Sequence, residues 1–267
     1  MMKQDDINRL LVDLALQGKC VARLKGGDPS VFGRVGEEAE ELAENGIPFE
    51  IVPGITSAIA VPAYAGIPVT HRDFTSSFFS IVTGHEYPNK TYSKVNWRNL
   101  AGASGTLIFF LMGVANIEQI ASELIHWGKA PGTPVALIRW GTWMEQETLT
   151  GVLSTIAAQV KEVNFQSPAV IIVGDVVKLR EKLAWVEKQP LFGKRILVTR
   201  ARSQASELVE LIENNGGEAV EFPVIRVQAP CSREALGKFD EALASLHVFD
   251  WAVFTSANGV EFFFLTD

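Results

Sequence analysis

The stretch that decides the fold is Cys20-Val21-Ala22-Arg23-Leu24-Lys25-Gly26-Gly27-Asp28-Pro29. Its first five residues are mostly apolar and predict a buried strand, and the two glycines that follow predict a tight turn. Asp28 before Pro29 is typical of a helix N-cap followed by a first-turn proline. A helix is predicted over about 37–44 and a second strand over 49–52. A strand, a helix and a strand joined by short connections predict a βαβ unit and a parallel sheet.

Apolar runs of strand length and helical periodicity continue along the rest of the chain. Further strands are predicted at 79–82, 106–110, 135–138, 169–173, 195–199, 219–222 and 251–254. Further helices are predicted at 7–16, 117–127, 153–160, 205–214 and from 257 onward, with a short helix over 56–65 interrupted at Pro62. We therefore expect domains at 1–74, 75–186 and 193–267, with a linker at 187–192.

Composition excludes several classes of protein. The 267 residues, 47% hydrophobic and 21% charged, predict a globular protein of two or three domains with a real core. A net charge of −7 argues against general nucleic-acid binding, which needs a basic footprint. The two cysteines, Cys20 and Cys231, are too far apart in sequence for a disulfide scaffold or a CxxC metal site. The four histidines lack metal-ligand spacing, so we expect no metal.

The sequence also lacks a signal-peptide pattern and an apolar run of the roughly 20 residues that a membrane helix needs. We therefore expect a cytoplasmic protein that binds neither a membrane nor nucleic acid.

Four glycine-containing turns follow predicted strands, and these turns are the candidate ligand site. They lie at 25–29, 52–58, 111–113 and 139–142. Because α/β proteins bind ligands at the carboxyl ends of their parallel strands, turns of this kind would share one cleft. Tight turns, helix caps and close packing would account for each of them equally well. The Rossmann and P-loop glycine patterns and the G-x-S-x-G elbow are absent, which disfavours dinucleotide, nucleoside-triphosphate and Ser-hydrolase sites.

Taken together, these motifs resemble one family. Residues 21–34, Val-Ala-Arg-Leu-Lys-Gly-Gly-Asp-Pro-Ser-Val-Phe-Gly-Arg, resemble the signature of the uroporphyrinogen-III C-methyltransferases, which are tetrapyrrole methylases. Matching motifs follow in the family's order at 52–58, 65–72, 83–85, 111–113, 168–174 and 179–183. From about Pro190 the chain resembles the start of uroporphyrinogen-III synthase, at 198–202 and 254–258.

The resemblance implies an α/β fold in two methylase domains, followed by a partial α/β synthase domain. The first methylase domain would be an incomplete parallel-sheet domain and the second a mixed-sheet α/β domain. Family members begin with a strand and a Gly-Pro-Gly-Asp loop, and their proposed acid/base groups also precede the region seen here. The resemblance therefore implies an N-terminal truncation, leaves the catalytic residues unassigned and predicts a chain without measurable methyl transfer.

The resemblance also implies a reaction. S-adenosyl-L-methionine would methylate uroporphyrinogen III to precorrin-2, towards sirohaem and cobalamin, leaving S-adenosyl-L-homocysteine, and the synthase segment would cyclise hydroxymethylbilane. Cofactor contacts would fall on Gly26, Gly27, Asp28, Val31, Thr56, Ser57, Met112 and Gly141. Substrate contacts would fall on Arg23, Lys25, Arg34, Arg72, Thr255 and Ser256, with Arg139 as a further cation for the substrate carboxylates.

Two alternatives remain open from the sequence. The chain could methylate a later cobalamin precursor, or it could be a non-catalytic module that binds a nucleotide or a tetrapyrrole. The attached synthase-like segment favours uroporphyrinogen III, because that enzyme makes this substrate. We also expect a homodimer.

Overall fold

The chain forms two compact units in the computed structural model, Met1–Lys194 and Arg195–Asp267. The structure describes residues 2–74, 78–83, 95–111, 114–200, 202–224 and 232–264. The domain boundaries expected from the sequence stay a prediction. Each unit is described by itself.

Three helices form in the first 74 residues at the predicted places: α1 (Gln4–Leu16), α2 (Val35–Glu44) and α3 (Ser57–Tyr64). The prediction that Pro62 interrupts α3 is wrong, since the helix runs through it. Proline removes one N–H donor from a helix. Burial of Ala58, Val61 and Pro62 accompanies the continuous helix, and packing of a buried face outweighs local propensity in most protein helices.

A five-stranded sheet forms the centre of the first unit. The strands are β1 (Phe79–Thr83), β2 (Thr106–Leu111), β3 (Pro134–Arg139), β4 (Glu147–Val152) and β5 (Ala169–Val173). The helices between and after them are α4 (Trp97–Gly102), α5 (Ile117–His126), α6 (Ile156–Glu162) and α7 (Arg180–Leu183). The strand order is β1-β2-β5-β3-β4. β1 and β2 are parallel, and the other neighbouring pairs are antiparallel. The sheet is therefore mixed, which confirms the mixed-sheet domain expected from the sequence.

Both faces of this sheet are covered. On one face Leu107, Leu137 and Ile171 pack with residues of α4, α5 and α6. On the other face Ile108 and Ile172 pack with residues of α3 and with the 3₁₀ turn at Asp175–Leu179. Successive residues of one strand point to opposite faces, so a continuously apolar strand fills two core layers at once.

The parallel sheet predicted for the first 74 residues does not form in the part of the chain that the structure describes. The two predicted strands, Cys20–Leu24 and Phe49–Val52, belong to neither sheet. The first of them was expected to be buried, yet Leu24 is 85% exposed, and Val52 in the second is 72% exposed. A strand is defined by a hydrogen-bonded neighbour, and neither segment has a ladder partner among the described strands.

The second unit contains a two-stranded parallel sheet of β6 (Arg195–Val198) and β7 (Glu218–Glu221). Its helices are α8 (Arg202–Asn214), α9 (Arg233–Ala244) and α10 (Ala257–Phe264). The strand predicted at 251–254 is not paired with any described strand. Phe254 instead packs edge-on against Phe263, with ring centroids 5.0 Å apart.

No helix among the described residues is both long and apolar enough to cross a membrane. Within the same residues, no group of three or more His, Cys, Asp or Glu side chains is arranged to hold a metal ion.

Candidate functional site

Two glycine turns from distant parts of the first unit lie against each other. Gly27 has a φ of +73°, and a Cβ there would lie 3.3 Å from the carbonyl oxygen of Ile55. A Cβ on Gly54 would overlap the carbonyl oxygen of Gly27. The left-handed φ favours glycine at position 27, and the close backbone approach favours glycine at both positions. Two of the four turns predicted to share a cleft therefore lie together, and the shared cleft itself stays a prediction.

The Asp28 side chain ties the two turns to each other. Its Oδ2 accepts a hydrogen bond of 3.1 Å from the Gly54 N–H, and its Oδ1 accepts one of 2.8 Å from the Ser30 N–H. These N–H groups, Gly54 first, lower the pKa of the Asp28 carboxyl because they stabilise its charged form. The Val31 N–H donates to the Asp28 carbonyl oxygen at 3.2 Å. The Asp28 carboxylate therefore joins the two turns through hydrogen bonds.

The helix α3 begins directly beside these turns. Thr56 is its N-cap, and its Oγ1 accepts a hydrogen bond of 3.3 Å from the Ala58 N–H. Ser57 is the first helical residue and is exposed. At the middle of the helix, a Cβ on Gly141 would lie 2.5 Å from Cγ1 of Val61. The turn after β3 is therefore packed on the same helix as the two glycine turns.

The surface around Gly26 is open. A Cβ added at Gly26 would meet no protein atom within 4 Å, and both Gly26 and Gly27 are exposed. Seven of the eight predicted cofactor residues thus lie on the two turns, on the start of α3 or on the turn after β3. The eighth, Met112, lies outside the described residues.

Two of the cations predicted to bind substrate are already paired. The Lys25 Nζ lies 2.6 Å from Oε2 of Glu38, and the Arg23 Nε lies 3.3 Å from its Oε1. Gln4 Nε2 donates to the same carboxylate at 2.9 Å, and Glu38 is only 3% exposed. Burial raises the pKa of Glu38, but the hydrogen bonds from Lys25 and Gln4 and the two positive charges outweigh it and lower that pKa. Because two cations share one carboxylate, the cluster keeps an excess positive charge.

The remaining predicted substrate residues are spread over the surface. Arg34 forms an ion pair with Glu37, and Arg72 is exposed in the turn at 72–74. Arg139 lies 3.3 Å from the Glu147 carboxylate and 5.7 Å from the centroid of the Trp140 ring.

Thr255 and Ser256 belong to the second unit. There Ser256 Oγ accepts a hydrogen bond of 3.1 Å from the Gly259 N–H, at the start of α10. Both residues are exposed.

Sequence reasoning missed Glu38, Gln146 and Glu187, which hold elements of the site in place. Glu38 lies 13 positions after Lys25 in the chain, and Gln146 bonds to Glu187 across 41 positions. No local pattern marks such partners. The sequence offers a hint only for Glu38, which is a glutamate on the apolar face of a helix. A buried carboxylate requires hydrogen-bond donors nearby, so its position indicates that such donors are present.

The second unit resembles a known family. Residues 206–266 match the family model described as Uroporphyrinogen-III synthase HemD.

Two curated relatives and one solved structure illustrate the similarity. A uroporphyrinogen-III C-methyltransferase of Bacillus subtilis is 44% identical over 263 residues, which are 98% of this chain and 53% of the relative. An S-adenosyl-L-methionine-dependent uroporphyrinogen III methyltransferase of Methanosarcina barkeri is 54% identical over 68% of this chain and 71% of its own. The Thermus thermophilus uroporphyrin-III C-methyltransferase, solved with S-adenosyl homocysteine, superimposes with a TM-score of 0.56 at 35% identity and covers 66% of this chain and 75% of its own.

The first of these relatives is much longer than the matched region, and the chain spans about half the length of the two longest-matching curated relatives. The family resemblance expected from the sequence is confirmed by these matches. Residues 1–157 match the family model described as Tetrapyrrole (Corrin/Porphyrin) Methylases, and the chain belongs to this family.

Proposed function

We propose that this chain carries a methyltransferase site that uses S-adenosyl-L-methionine to methylate uroporphyrinogen III, giving precorrin-2 towards sirohaem and cobalamin. The observation that carries the proposal is the meeting of the Gly26–Gly27 turn and the Gly54 turn at the start of α3. The relatives named above, which are called uroporphyrinogen-III methyltransferases, support the choice of substrate.

The residues present fit the cofactor. Gly26 leaves open space on an exposed turn, and the left-handed Gly27 turns the backbone back against Ile55. A backbone without side chains lets a ligand approach closely. We assign Gly26, Gly27, Asp28 and Val31 to the first wall of the site.

The second wall consists of Thr56, Ser57 and Gly141, with Met112 as a predicted member. When bound, the cofactor supplies an already activated methyl group, so the protein's task is alignment and exclusion of water. Asp28 performs part of this task by fixing one turn against the other. The packing of Gly141 on Val61 fixes the third turn on α3.

We assign substrate recognition to cations on the surface of the first unit. Uroporphyrinogen III carries many carboxylates, and an acidic chain must gather positive charge locally to bind them. The Arg23–Lys25–Glu38 cluster directly precedes the glycine turn and keeps an excess positive charge. We assign Arg23, Lys25, Arg34 and Arg72 to the substrate, with Arg139 as a further cation.

Other parts of the proposal concern the whole protein. We propose that the second unit, with Thr255 and Ser256, contributes to the cyclisation of hydroxymethylbilane. We also propose a homodimer in the cytoplasm, with methylase domains at 1–74 and 75–186, a linker at 187–192 and a synthase segment at 193–267.

Calorimetry with S-adenosyl-L-homocysteine, on the protein that carries this sequence, tests the cofactor site. Gly26→Val places a branched side chain in the open space and is expected to abolish binding without changing the unfolding midpoint. Gly132→Val is the matched control, because Gly132 also lies in an exposed turn with nothing within 4 Å of a Cβ. Binding that survives Gly26→Val would contradict the assignment.

An assay with labelled S-adenosyl-L-methionine then identifies the acceptor. Methylation of uroporphyrinogen III is the expected outcome for a longer protein that carries this sequence, since the prediction of no measurable transfer concerns the 267 residues alone. Transfer only to a later cobalamin precursor would replace the substrate, and cofactor binding without transfer to any tetrapyrrole would indicate a binding module.

A further inference from the structure

The turn that follows β3 has an unusual backbone. Trp140 has a φ of +49° and Thr142 a φ of +74°, with Gly141 between them. Residues with a Cβ rarely adopt this left-handed region, and they stay there only when the surrounding structure holds them. The same turn packs on Val61 of α3 through Gly141. Its conformation therefore decides how one wall of the proposed cofactor site lies.

The buried side-chain amide of Gln146 supports this turn. The Thr142 N–H donates to Gln146 Oε1 at 3.1 Å, and Gln146 is 5% exposed. The other end of the amide, Nε2, donates to Glu187 Oε1 at 2.8 Å. A carboxylate only accepts hydrogen bonds, so Glu187 forces the Gln146 nitrogen towards itself and the Gln146 oxygen towards Thr142.

Glu187 is itself held by two further side chains. Thr148 Oγ1 donates to Oε1 at 2.8 Å, and Arg180 Nη2 donates to Oε2. Arg180 also donates through Nη1 to the Ala65 carbonyl oxygen at 2.6 Å, just beyond the end of α3. A continuous set of hydrogen bonds thus runs from the turn, through Glu187, to the helix on which the turn packs.

This arrangement differs from the surface ion pairs of the same unit. Lys161 and Glu118 are 68% and 66% exposed and form one contact, which contributes little to stability. The side chains of Arg180 and Glu187 are 16% and 21% exposed. Glu187 accepts hydrogen bonds from three side chains, those of Gln146, Thr148 and Arg180. Polar groups at this depth fix one geometry because every alternative leaves a donor or an acceptor unsatisfied.

We propose that Glu187 is a positioning residue of the methyl-donor site, which holds the Trp140–Thr142 turn against α3 through Gln146. The inference rests on the proposed function, since it assumes that this turn lines the cofactor. It assigns a role to a carboxylate that lies outside the glycine turns and inside the segment predicted to be a linker.

The test compares Glu187→Gln with Glu181→Gln in the protein that carries this sequence. Glu187→Gln keeps the shape but adds a donor, so the Gln146 amide is free to turn its nitrogen towards Thr142. We expect the dissociation constant for S-adenosyl-L-homocysteine to rise about tenfold, and hydrogen exchange at the Thr142 amide to accelerate by about the same factor. Glu181 is an exposed carboxyl of α7, and its substitution is expected to change neither quantity.

A double-mutant cycle separates positioning from general loss of stability. Gln146→Ala removes the same support from the turn side and is expected to weaken binding to a similar extent. In that background, Glu187→Gln is expected to add almost nothing to the dissociation constant, because both act through one contact. Additive losses would overturn the inference, as would unchanged affinity in a folded Glu187→Gln variant.

The unsubstituted protein distinguishes the two levels of the argument. If it fails to bind S-adenosyl-L-homocysteine, the proposed function is overturned and this inference with it. If it binds and Glu187→Gln binds equally well, this inference alone is overturned.

Discussion

Two regions of the first unit contain similar apolar residues in opposite surroundings. Leu137 in β3 is fully buried between two neighbouring strands, whereas Leu24, just before the first glycine turn, is 85% exposed. The sheet is held by apolar burial on both faces. The glycine turns are held by backbone contact and by hydrogen bonds that Asp28 accepts from Gly54 and Ser30. The difference teaches that the apolar core and the proposed ligand site lie in separate parts of this unit.

The division has a physical reason. Burying a leucine side chain contributes roughly 1.5–3 kcal/mol, so a sheet with two covered faces can carry the stability of the unit. A ligand site requires the opposite, namely exposed backbone and open space such as that beside Gly26. Residues that shape such a site therefore contribute little to the free energy of unfolding.

The largest effect is expected when the same substitution is made in both regions. Leu137→Ala removes buried methyl groups and leaves a cavity, which lowers the free energy of unfolding by about 2–5 kcal/mol. Leu24→Ala removes a side chain that is already in water, and the expected change is within about 0.5 kcal/mol. Urea unfolding followed by circular dichroism measures both. Similar losses for the two variants would mean that Leu24 is covered in solution.

The sheet region could largely be predicted from the sequence, and the reason is local. Ala169–Val173 consists only of apolar residues and was predicted with the observed bounds. The strand β4, Glu-Thr-Leu-Thr-Gly-Val, was missed because threonines and a glycine give it no clear apolar pattern. Its strand character comes from its pairing with β3, which is a contact between segments.

The first 74 residues show the limit of the same reasoning. Apolar composition predicted a buried strand at 20–24 and a second strand at 49–52, but composition does not specify a hydrogen-bonded neighbour. The glycine turns were predicted from their residue types and lie together as expected. The partners of the cations were not predictable, because Glu38 reaches Lys25 and Arg23 only through the packing of α2.

A smaller effect is expected from the buried carboxylate of α2. Glu38→Gln leaves the largely covered Lys25 beside a neutral amide and is expected to cost about 1–3 kcal/mol of unfolding free energy. Glu37→Gln is the matched control on the same helix. Its ion pair with Arg34 is about half exposed at both side chains, so the expected cost is smaller than that of Glu38→Gln. Equal costs would show that the Glu38 cluster is open to water.

The pH dependence of the same pair follows from the direction of the pKa shift. The pKa of Glu38 is lowered in the folded chain, so the unfolded chain binds a proton at a higher pH. The stabilisation by Glu38 is therefore complete above the ordinary glutamate pKa and is lost as the pH falls through the lowered value. Unfolding free energies of the unsubstituted and Glu38→Gln proteins are expected to converge as the pH falls through the lowered Glu38 pKa. A constant difference down to strongly acidic pH would contradict this assignment.

The smallest effect on stability is expected at Asp28, and it is the one that concerns the site most directly. An asparagine at this position has only one acceptor oxygen, so Asp28→Asn keeps the bond from Ser30 or the bond from Gly54 but not both. We expect exchange of the Gly54 amide to accelerate by roughly two- to tenfold, while the unfolding midpoint stays unchanged. Asp73→Asn, in another exposed turn, is the control.

A titration tests the same contact. Since the Gly54 and Ser30 N–H groups lower the pKa of Asp28, the chemical shift of the Gly54 amide should titrate below the ordinary aspartate pKa. This dependence on pH should disappear in Asp28→Asn. An unperturbed titration would mean that Asp28 does not join the two glycine turns in solution. The hydrogen bonds would then not hold the glycine turns in the way that apolar burial holds the sheet.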